Sequence, residues 1–388
     1  MQRSTDRIVT THVGSLPRPP EVIALLKRRD RDETVDPAEF ESTIARAVND
    51  VVAKQVGIGI DVVNDGEASK ASYATYIQQR LTGFGDVDRS KWPAEKSPDR
   101  AEFPEYYARP GATSGPESRR MLACVAPVAV KDRSLVERDI ARLKAAAAAS
   151  GAKGIFMSAA SPGVVARFHP NFHYKDSADY RAAVGAAMRE EYEAIATAGF
   201  ILQLDCPDLA SGRMSVFSMV SDEEFVRQCH ISIDILNDAL KNVPASQVRL
   251  HLCWGNYEGP HVHDVPLQMI LPAVLKAKAA VISFEGANPR HAHEWELWKN
   301  VKLPDNMALM PGVIDTTTNF VEHPELVSQR ICHYADCVGR ERVIAAVDCG
   351  FETFAGGSAR VDARVAYKKL ESMVEGARIA TKKLWGRA

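Results

Sequence analysis

Eight short apolar runs, separated by longer segments with helical patterns, are the feature of this sequence that most limits its fold. Each run is rich in Val, Ile and Leu and closes on Gly, Pro, Asn or an acidic residue, which is typical of buried parallel strands. Strands that alternate with helices form a parallel sheet, and eight of them can close into a barrel, so we predict a (β/α)8 TIM barrel. The predicted strands are RIVTTHVGS (7–15), IDVVNDGE (60–67), GIFMSAASP (154–162), FILQLDCP (200–207), VRLHLCWG (248–255), AAVISFEG (279–286), MALMPGVID (307–315) and VIAAVDCG (343–350).

The segments between the runs carry the complementary helical signal. Residues 134–150 and 177–199 place apolar side chains at a spacing of about 3.6, so both are predicted to be amphipathic helices. Residues 83–120 break the alternation, because they are polar and rich in Pro and Gly, and an apolar run, MLACVAPVAV (121–130), follows them. We predict a hairpin or loop excursion after the second strand, either a functional loop or a surface insertion without function. The domain prediction is one barrel over 1–388 with an insertion at about 83–130.

Charge and composition exclude several classes of function. The formal net charge is -2, the pI is near 6.6, and no extended Lys/Arg run is present, so neither nucleic acid nor an anionic membrane is an expected partner. No apolar run reaches the ~20 residues of a membrane helix, and the first residues do not resemble a signal peptide, so we expect a cytoplasmic protein. Seven scattered cysteines fit buried thiols or metal ligands better than disulfides. The oligomeric state is left open, with a homo-oligomer among the states allowed.

Candidate metal ligands lie where the predicted strands end, which is where the active sites of parallel barrels form. His251 and Cys253 are two residues apart, so a strand directs both side chains to the same side. Glu285 closes the next predicted strand and Cys349 closes the last one. This set of nitrogen, sulfur and oxygen donors suits Zn²⁺ better than Mg²⁺ or Ca²⁺. His261 and His263 follow in a loop and are expected to lie outside the ligand set, as outer or solvated residues.

Six short motifs occur in the order seen in one enzyme family: THVGSLPRP, VVNDGE, LQLDCPDLA, HLC, ISFEG and DCGFET. Together they resemble the catalytic half of cobalamin-independent methionine synthase and its shorter, single-barrel relatives. The resemblance implies a zinc ion held by His251, Cys253, Glu285 and Cys349, which binds the thiol of the acceptor while a methyl group passes to its sulfur. Coordination to zinc favours the nucleophilic thiolate. With four protein ligands, Glu285 is the one expected to yield to the incoming thiol.

The same resemblance implies a binding set for an amino-acid acceptor. Gly14 and Ser15 would hold the carboxylate of the acceptor, and Glu67 and Asp205 would hold its ammonium group. Paired carboxylates are suitable partners for an ammonium, and both acids close predicted strands on one face of the barrel. The expected reaction is therefore methylation of homocysteine or a similar thiol, with a methyl-folate or a methyl-corrinoid carrier as the donor.

Departures from the family pattern leave two alternatives open. Cys206 and the loop CWGNYEGPH differ from the long enzymes around the substrate pockets. One alternative is a zinc-dependent alkyl transferase that adds a thiol such as coenzyme M to an epoxide or other electrophile. Arg18 or Arg167 would then contact its sulfonate, and His169 or His173 would act as acid or base. Otherwise these arginines are surface or helix residues and these histidines are solvated loop residues. The other is a zinc-stabilised barrel that binds a folate or corrinoid protein without catalysis. Three aromatic residues are candidates for stacking on a flat donor ring, with packing as the alternative: Trp254, Tyr106 and Tyr107.

Overall fold

The computed structural model describes residues 3–93, 96–112, 121–357 and 361–386, and eight parallel strands of these residues form one sheet. An antiparallel pair of short strands forms a second sheet. In chain order the strands are β1 (Val9–Thr10), β2 (Val62–Val63), β3 (Phe84–Gly85), β4 (Ala123–Cys124), β5 (Gly154–Ala160), β6 (Ile201–Asp205), β7 (Val248–His251), β8 (Val281–Phe284), β9 (Ala308–Ile314) and β10 (Ile344–Val347).

The large sheet runs β1-β10-β9-β8-β7-β6-β5-β2, and its two end strands lie against each other. The Asp61 amide donates to the Thr10 carbonyl at 3.1 Å, and the Thr11 hydroxyl donates to the Val62 carbonyl at 2.8 Å. These hydrogen bonds join the two end strands, so the sheet forms a nearly closed barrel. The predicted (β/α)8 fold is confirmed, and each of the eight predicted strands contains one strand of the barrel.

Helices follow the barrel strands and cover the outside of the sheet. The α-helices of the described residues are α1 (Pro20–Asp30), α2 (Pro37–Ile58), α3 (Pro98–Glu102), α4 (Pro104–Tyr107), α5 (Ser134–Ser150), α6 (Pro162–Phe168), α7 (Ser177–Thr197), α8 (Asp222–Ala239), α9 (Leu267–Val274), α10 (Pro324–Val338) and α11 (Ala363–Trp385). The helices predicted over 134–150 and 177–199 are α5 and α7. The carboxylate of Asp176 caps α7 by accepting from the Ala178 and Asp179 amides, and Gly151 ends α5 at a φ of 70°.

The predicted excursion after the second strand is present. Strands β3 and β4 pair antiparallel, with Phe84 opposite Cys124, and the short helices α3 and α4 lie between them in the chain. Residues 113–120 of the excursion lie outside the described residues. The assignment of 1–388 to one domain with an insertion at about 83–130 stays a prediction.

Two apolar clusters fix where a site can form. The larger cluster packs the helices against the outside of the barrel. The smaller one is separate and is built from strand residues such as Val9, Phe156 and Met310. Residues farther along the strands are polar and buried, including Gln203 and Arg249, so the interior is polar toward the carboxyl ends of the strands. Among the helices of the described residues, none combines the length and apolarity needed to cross a bilayer.

Candidate metal and substrate site

A cavity of about 540 Å³ opens at the carboxyl ends of the strands, where the sequence predicts the site. Of the predicted site residues, Gly14 and Glu285 do not line the cavity but contact residues that do: Gly14 lies against Glu67, and Glu285 bonds to Trp254. The other six line it together: Ser15, Glu67, Asp205, His251, Cys253 and Cys349.

Three predicted metal ligands converge in the wall of this cavity. His251 is the last residue of β7, Cys253 follows two residues later, and Cys349 lies two residues beyond β10. One donor atom from each lies within 4.8 Å of the others, and the two Sγ atoms are 3.6 Å apart. All three side chains are buried. Among the described residues, the Nε2 atom of His251 has no hydrogen-bond partner, while its Nδ1 atom lies 3.2 Å from the Ser283 hydroxyl.

The protonation state of these groups suits a bound cation. Burial lowers the pKa of His251 to about 3, which keeps the imidazole in the neutral form that metals bind. The hydrogen bond to Cys349 and burial raise the pKa of the Cys253 thiol well above its ordinary value. A divalent cation reverses that preference because it stabilises thiolate. One imidazole and two thiols form a donor set typical of zinc, so these residues fit the implied metal.

Glu285 lies beside this cluster, outside the group of three donors. It directly follows β8, and its Oε1 atom accepts a hydrogen bond from the Trp254 amide at 2.7 Å. Its other carboxylate oxygen accepts from the side-chain amide of Asn288. Burial raises the pKa of Glu285 well above its ordinary value, and the neighbouring Cys253 raises it further. The carboxylate is therefore next to the candidate metal site and held by protein hydrogen bonds.

Asp348 connects the loops that carry Glu285 and Cys349, and the sequence analysis did not assign it a role. Its Oδ1 atom accepts from the Gly286 and Ala287 amides at 2.8 Å, and its Oδ2 atom accepts from the Asn288 amide at 2.8 Å. An acidic residue at the end of the apolar run of β10 was the available signal.

Two buried acids face the same cavity. Burial raises the pKa of Glu67, and burial followed by the charge of Glu67 raises the pKa of Asp205 well above its ordinary value. Among the described residues, the Oε2 atom of Glu67 has no hydrogen-bond partner. The charge of Glu67 disfavours ionisation of Asp205, whereas Lys70 and Arg18 favour the charged form of Glu67. Two buried carboxylates in one cavity are chemically suited to a positively charged group.

A chain of hydrogen bonds from Arg249 through Gln203 orients Asp205. The side-chain amide of Gln203 donates to its Oδ1 atom at 2.8 Å, and the guanidinium of Arg249 donates to the Gln203 Oε1 atom at 2.8 Å. Arg249 is buried and lies 3.6 Å from the centre of the Phe156 ring. This chain of polar groups fixes the carboxylate at the end of β6.

The backbone holds Glu67 in an unusual conformation, with a φ of 56°. The Asp65 carboxylate accepts from its amide at 2.9 Å, and the Arg18 guanidinium donates to its carbonyl at 2.9 Å. Arg18 is 6% exposed and also contacts Glu352. The expectation that Arg18 is available to a sulfonate is therefore not supported, because its donors are used inside the protein. Positive φ at a residue with a side chain is rare and is found at functional sites.

The remaining histidines do not join the site. His261 pairs with the Asp264 carboxylate at 2.8 Å, and His263 pairs with Glu102 at 2.6 Å, which agrees with their prediction as outer residues. The expectation that His169 and His173 lie near the reacting groups is not supported, because neither lines the cavity.

Those two histidines lie in different surroundings. His169 is buried with its Nδ1 atom 2.7 Å from the Leu122 carbonyl, beside the hairpin, and His173 is exposed. All seven cysteines are free thiols, as expected. Cys206, next to Asp205, is buried and does not line the cavity, which fits its assignment to packing.

The excursion contributes wall residues that the sequence did not identify as a group. Arg100 and Tyr107 come from this segment, and the Tyr107 hydroxyl lies 2.9 Å from the Tyr257 hydroxyl. Arg167 also lines the cavity and donates to the Ser211 hydroxyl at 2.5 Å. The excursion thus supplies part of the cavity wall.

The aromatic candidates differ in their surroundings. Trp254 lines the cavity but is only 2% exposed; its indole donates to the Val265 carbonyl at 2.6 Å, and its ring lies against His291. Tyr107 presents its ring to the cavity wall, whereas Tyr106 packs edge-on against it. Packing therefore accounts for Trp254 and Tyr106, and Tyr107 stays a candidate for contact with a substrate.

Comparisons with known proteins agree with this geometry. The family described as "Cobalamin-independent synthase, Catalytic domain" matches residues 8–100 and 118–378. A methionine synthase of Saccharolobus islandicus (strain Y.N.15.51 / Yellowstone #2) is 24% identical over 378 residues, covering 97% of this chain and 95% of the relative. A methionine synthase of Thermococcus kodakarensis is 22% identical over 378 residues, covering 97% and 94%.

A solved structure supports the fold. The B12-independent methionine synthase from Shewanella sp. W3-18-1, in complex with selenomethionine, superposes with a TM-score of 0.73 at 20% identity, covering 98% of this chain and 100% of that one. The family match spans most of the chain. This chain therefore belongs to the cobalamin-independent methionine synthase family and carries the catalytic domain of that family.

Proposed function

We propose that this protein is a zinc-dependent thiol S-methyltransferase that methylates homocysteine or a similar amino-acid thiol. The observation that carries the proposal is that the His-Cys-Cys cluster and the acidic pair line the same cavity. One cluster suits a thiol on a metal, and the other suits an ammonium group in the same small molecule. Membership of the methionine synthase family supports this assignment.

His251, Cys253 and Cys349 are proposed to hold the zinc, with Glu285 as the fourth ligand. Zinc, when bound, stabilises the thiolate of the acceptor and so supplies the nucleophile. Glu285 is the ligand proposed to yield, because the Trp254 amide and Asn288 already offer its carboxylate hydrogen bonds beside the cluster. A carboxylate with such partners leaves a metal at lower cost than one without them.

The acceptor is proposed to bind with its ammonium between Glu67 and Asp205 and its carboxylate near Gly14 and Ser15. The ammonium stabilises the ionised form of both acids, which burial disfavours. Gln203 keeps Asp205 oriented while this happens. Holding both ends of the amino acid fixes the position of its sulfur, so the acceptor is presented to the donor in one orientation.

The methyl donor is proposed to enter the same cavity as a methyl-folate or a methyl-corrinoid carrier. Tyr107 and Tyr257 offer aromatic surface in the wall, and Arg100 from the excursion adds a positive charge. Aromatic side chains favour stacking on flat rings. These residues are therefore the proposed contacts for the donor, apart from those that bind the acceptor.

The test compares thiols that do and do not carry an ammonium. Binding of homocysteine, cysteine, glutathione and 2-mercaptoethanesulfonate is measured by calorimetry on zinc-loaded wild type, Asp205→Asn and Asp208→Asn. Asp208 is the matched control, since it is also buried but bonds to the Ser161 hydroxyl at 2.8 Å and does not line the cavity. We expect homocysteine to bind best and to lose about ten-fold or more in Asp205→Asn only, because a hydrogen bond to a charged group contributes roughly 1.5–3 kcal/mol.

The same experiment decides on the alkyl-transfer alternative. Arg167 and Arg100 lie in the cavity wall, so a sulfonate-bearing thiol would find cationic partners there. If 2-mercaptoethanesulfonate binds best and Asp205→Asn leaves its affinity unchanged, the acids do not serve an ammonium. The methyltransferase proposal is then wrong, and addition of coenzyme M to an epoxide or other electrophile takes its place.

A further inference from the structure

A second cavity, of about 310 Å³, lies outside the barrel between α1, α2 and α5. Its volume falls at the lower end of the range for small-molecule sites, ~300–1,000 Å³. Acidic side chains in its wall are Glu33, Glu41 and Asp139. The basic side chains outnumber them: Arg29, Lys70, Arg80, Arg138 and Arg142.

Two of the arginines are already paired with acids. Arg80 pairs with Asp139 and lies 2.8 Å from Glu191. Arg142 pairs with Glu41 at 3.0 Å and with Asp139 at 3.2 Å. These contacts use the available acids of the wall, apart from Glu33, and make this part of the cavity a fixed structural frame.

Arg29 and Arg138 have no such partner. Among the described residues, neither makes an ion pair or a side-chain hydrogen bond, and the recorded contact of Arg29 is with the Phe40 ring, 4.8 Å from its guanidinium carbon. Glu33 is engaged by Arg31 at 2.7 Å. Burial lowers the pKa of Arg29; the charge of Asp139 raises it, and the charges of Arg80, Arg138 and Arg142 lower it. The cavity wall thus carries two guanidinium groups, one half-buried and one exposed, that are in no ion pair with an acid of the described residues.

We propose that this second cavity binds a small oxyanion with at least two negative charges, such as a phosphate or a polycarboxylate, with Arg29 and Arg138 as its direct partners. Guanidinium groups bind such anions through paired, charge-assisted hydrogen bonds. Lys70 gives the site a link to the barrel, because its ammonium donates to the Ser158 carbonyl on β5 at 2.5 Å. The site shares no lining residue with the candidate metal and substrate site, although the charge of Lys70 also acts on Glu67, and its proposed ligand does not depend on the proposed function.

Inorganic phosphate is the probe. Binding is measured by calorimetry, and the shift in melting temperature is compared with sodium chloride at the same ionic strength. We expect saturable phosphate binding by the wild type, and binding weaker by about ten-fold or more in Arg29→Gln and in Arg138→Gln, since each removes one charged donor. Arg227→Gln is the control, because Arg227 is exposed on α8, pairs with nearby Glu224 and does not line the second cavity. It should bind phosphate as the wild type does.

Two further measurements distinguish loss of the anion site from misfolding and from phosphate binding at the metal site. Glu33→Gln removes a negative charge from the wall at an exposed position and should strengthen binding, which a damaged fold would not do. Protein stripped of metal with a chelator should bind phosphate unchanged. Absence of saturable binding, equal binding by the wild type and both arginine variants, or loss of binding on metal removal would each overturn the proposal.

Discussion

Replacing Gly14 by alanine tests how closely the acceptor site is built. Gly14 has a φ of 148°, and a Cβ atom placed there would lie 2.3 Å from the Oε1 atom of Glu67 and 2.9 Å from the Ser158 hydroxyl. Real Cβ contacts essentially never fall under 3.0 Å, so the Glu67 carboxylate has to retreat. Glu67 is the proposed partner of the acceptor ammonium, and the metal ligands lie on other strands. The substitution should therefore weaken binding of the amino acid and leave the zinc in place.

The magnitude follows from the distances. The carboxylate, at 2.3 Å, must move by roughly 0.7 Å to clear 3.0 Å and by roughly 1.1 Å to reach an ordinary contact of 3.4 Å, and a misplacement of ~1 Å can cost ~100-fold in rate. A hydrogen bond to a charged group contributes roughly 1.5–3 kcal/mol, which corresponds to about ten-fold to more than a hundred-fold in affinity. We expect homocysteine to bind Gly14→Ala weaker by this factor. Backbone strain adds a loss of stability of roughly 1–3 kcal/mol.

The assay is calorimetry of homocysteine on zinc-loaded protein, with metal content and melting temperature measured on the same samples. Gly151→Ala is the matched control, because Gly151 also has a positive φ, of 70°, but nothing lies within 4 Å of its Cβ position. It should lose stability and keep full homocysteine affinity. A thiol without an ammonium, 2-mercaptoethanesulfonate, should bind Gly14→Ala and wild type equally. Unchanged homocysteine affinity in a folded, zinc-loaded Gly14→Ala protein would refute the role given to Glu67.

Two further predictions concern the metal and the pH dependence of stability. Cys253→Ala or Cys349→Ala should remove most of the zinc from purified protein, whereas Glu285→Gln should keep much of the zinc and change the rate of methyl transfer. Metal analysis of the purified variants measures the zinc content. Full zinc occupancy in both cysteine variants would show that the ligand assignment is wrong. His291 is buried, which lowers its pKa, but its hydrogen bonds to Asp264 and Glu294 outweigh burial and raise that pKa from 6.5 to about 10. Because the folded value exceeds the unfolded one, this stabilisation is complete below pH 6.5 and is lost as the pH rises toward about 10. Urea unfolding should therefore show a steeper loss of stability between pH 6.5 and 10 in the wild type than in His291→Gln, and equal slopes would contradict the pKa shift.

The sequence predicts those parts of the site that are local in the chain. Strand-terminal positions such as His251 and Asp205 can be identified because an apolar run defines the strand and its last residues must lie at one end of the barrel. Contacts between distant segments have no such signal. The Arg18 guanidinium donates to the Glu67 carbonyl because two distant loops meet in the folded chain. The sequence gives no sign of this contact, so Arg18 was predicted to be available to a ligand.

The outer helices also show that contacts between distant segments cannot be predicted from the sequence. The amphipathic pattern of α5 predicts a helix, but it does not reveal that Arg138 on that helix faces Arg29 on α1 across a cavity. Charged residues on a helix are usually solvated, and only the packing of α1, α2 and α5 shows which of them lack a partner. The excursion is a similar case, because its composition predicts a loop and its folded position makes Tyr107 part of the cavity wall.

The candidate site concentrates features that work against the stability of the folded protein. Glu67 has a positive φ, and its buried carboxylate shares a cavity with that of Asp205, although Lys70 and Arg18 favour its charged form. Groups buried in this way disfavour the folded state unless a ligand compensates them. A sequence selected for stability alone would place neutral or paired residues here, as it does around Arg80 and Asp139. Under the proposed function, an ammonium placed between Glu67 and Asp205 and a thiol placed beside the His-Cys-Cys cluster would offset the cost of burying these groups.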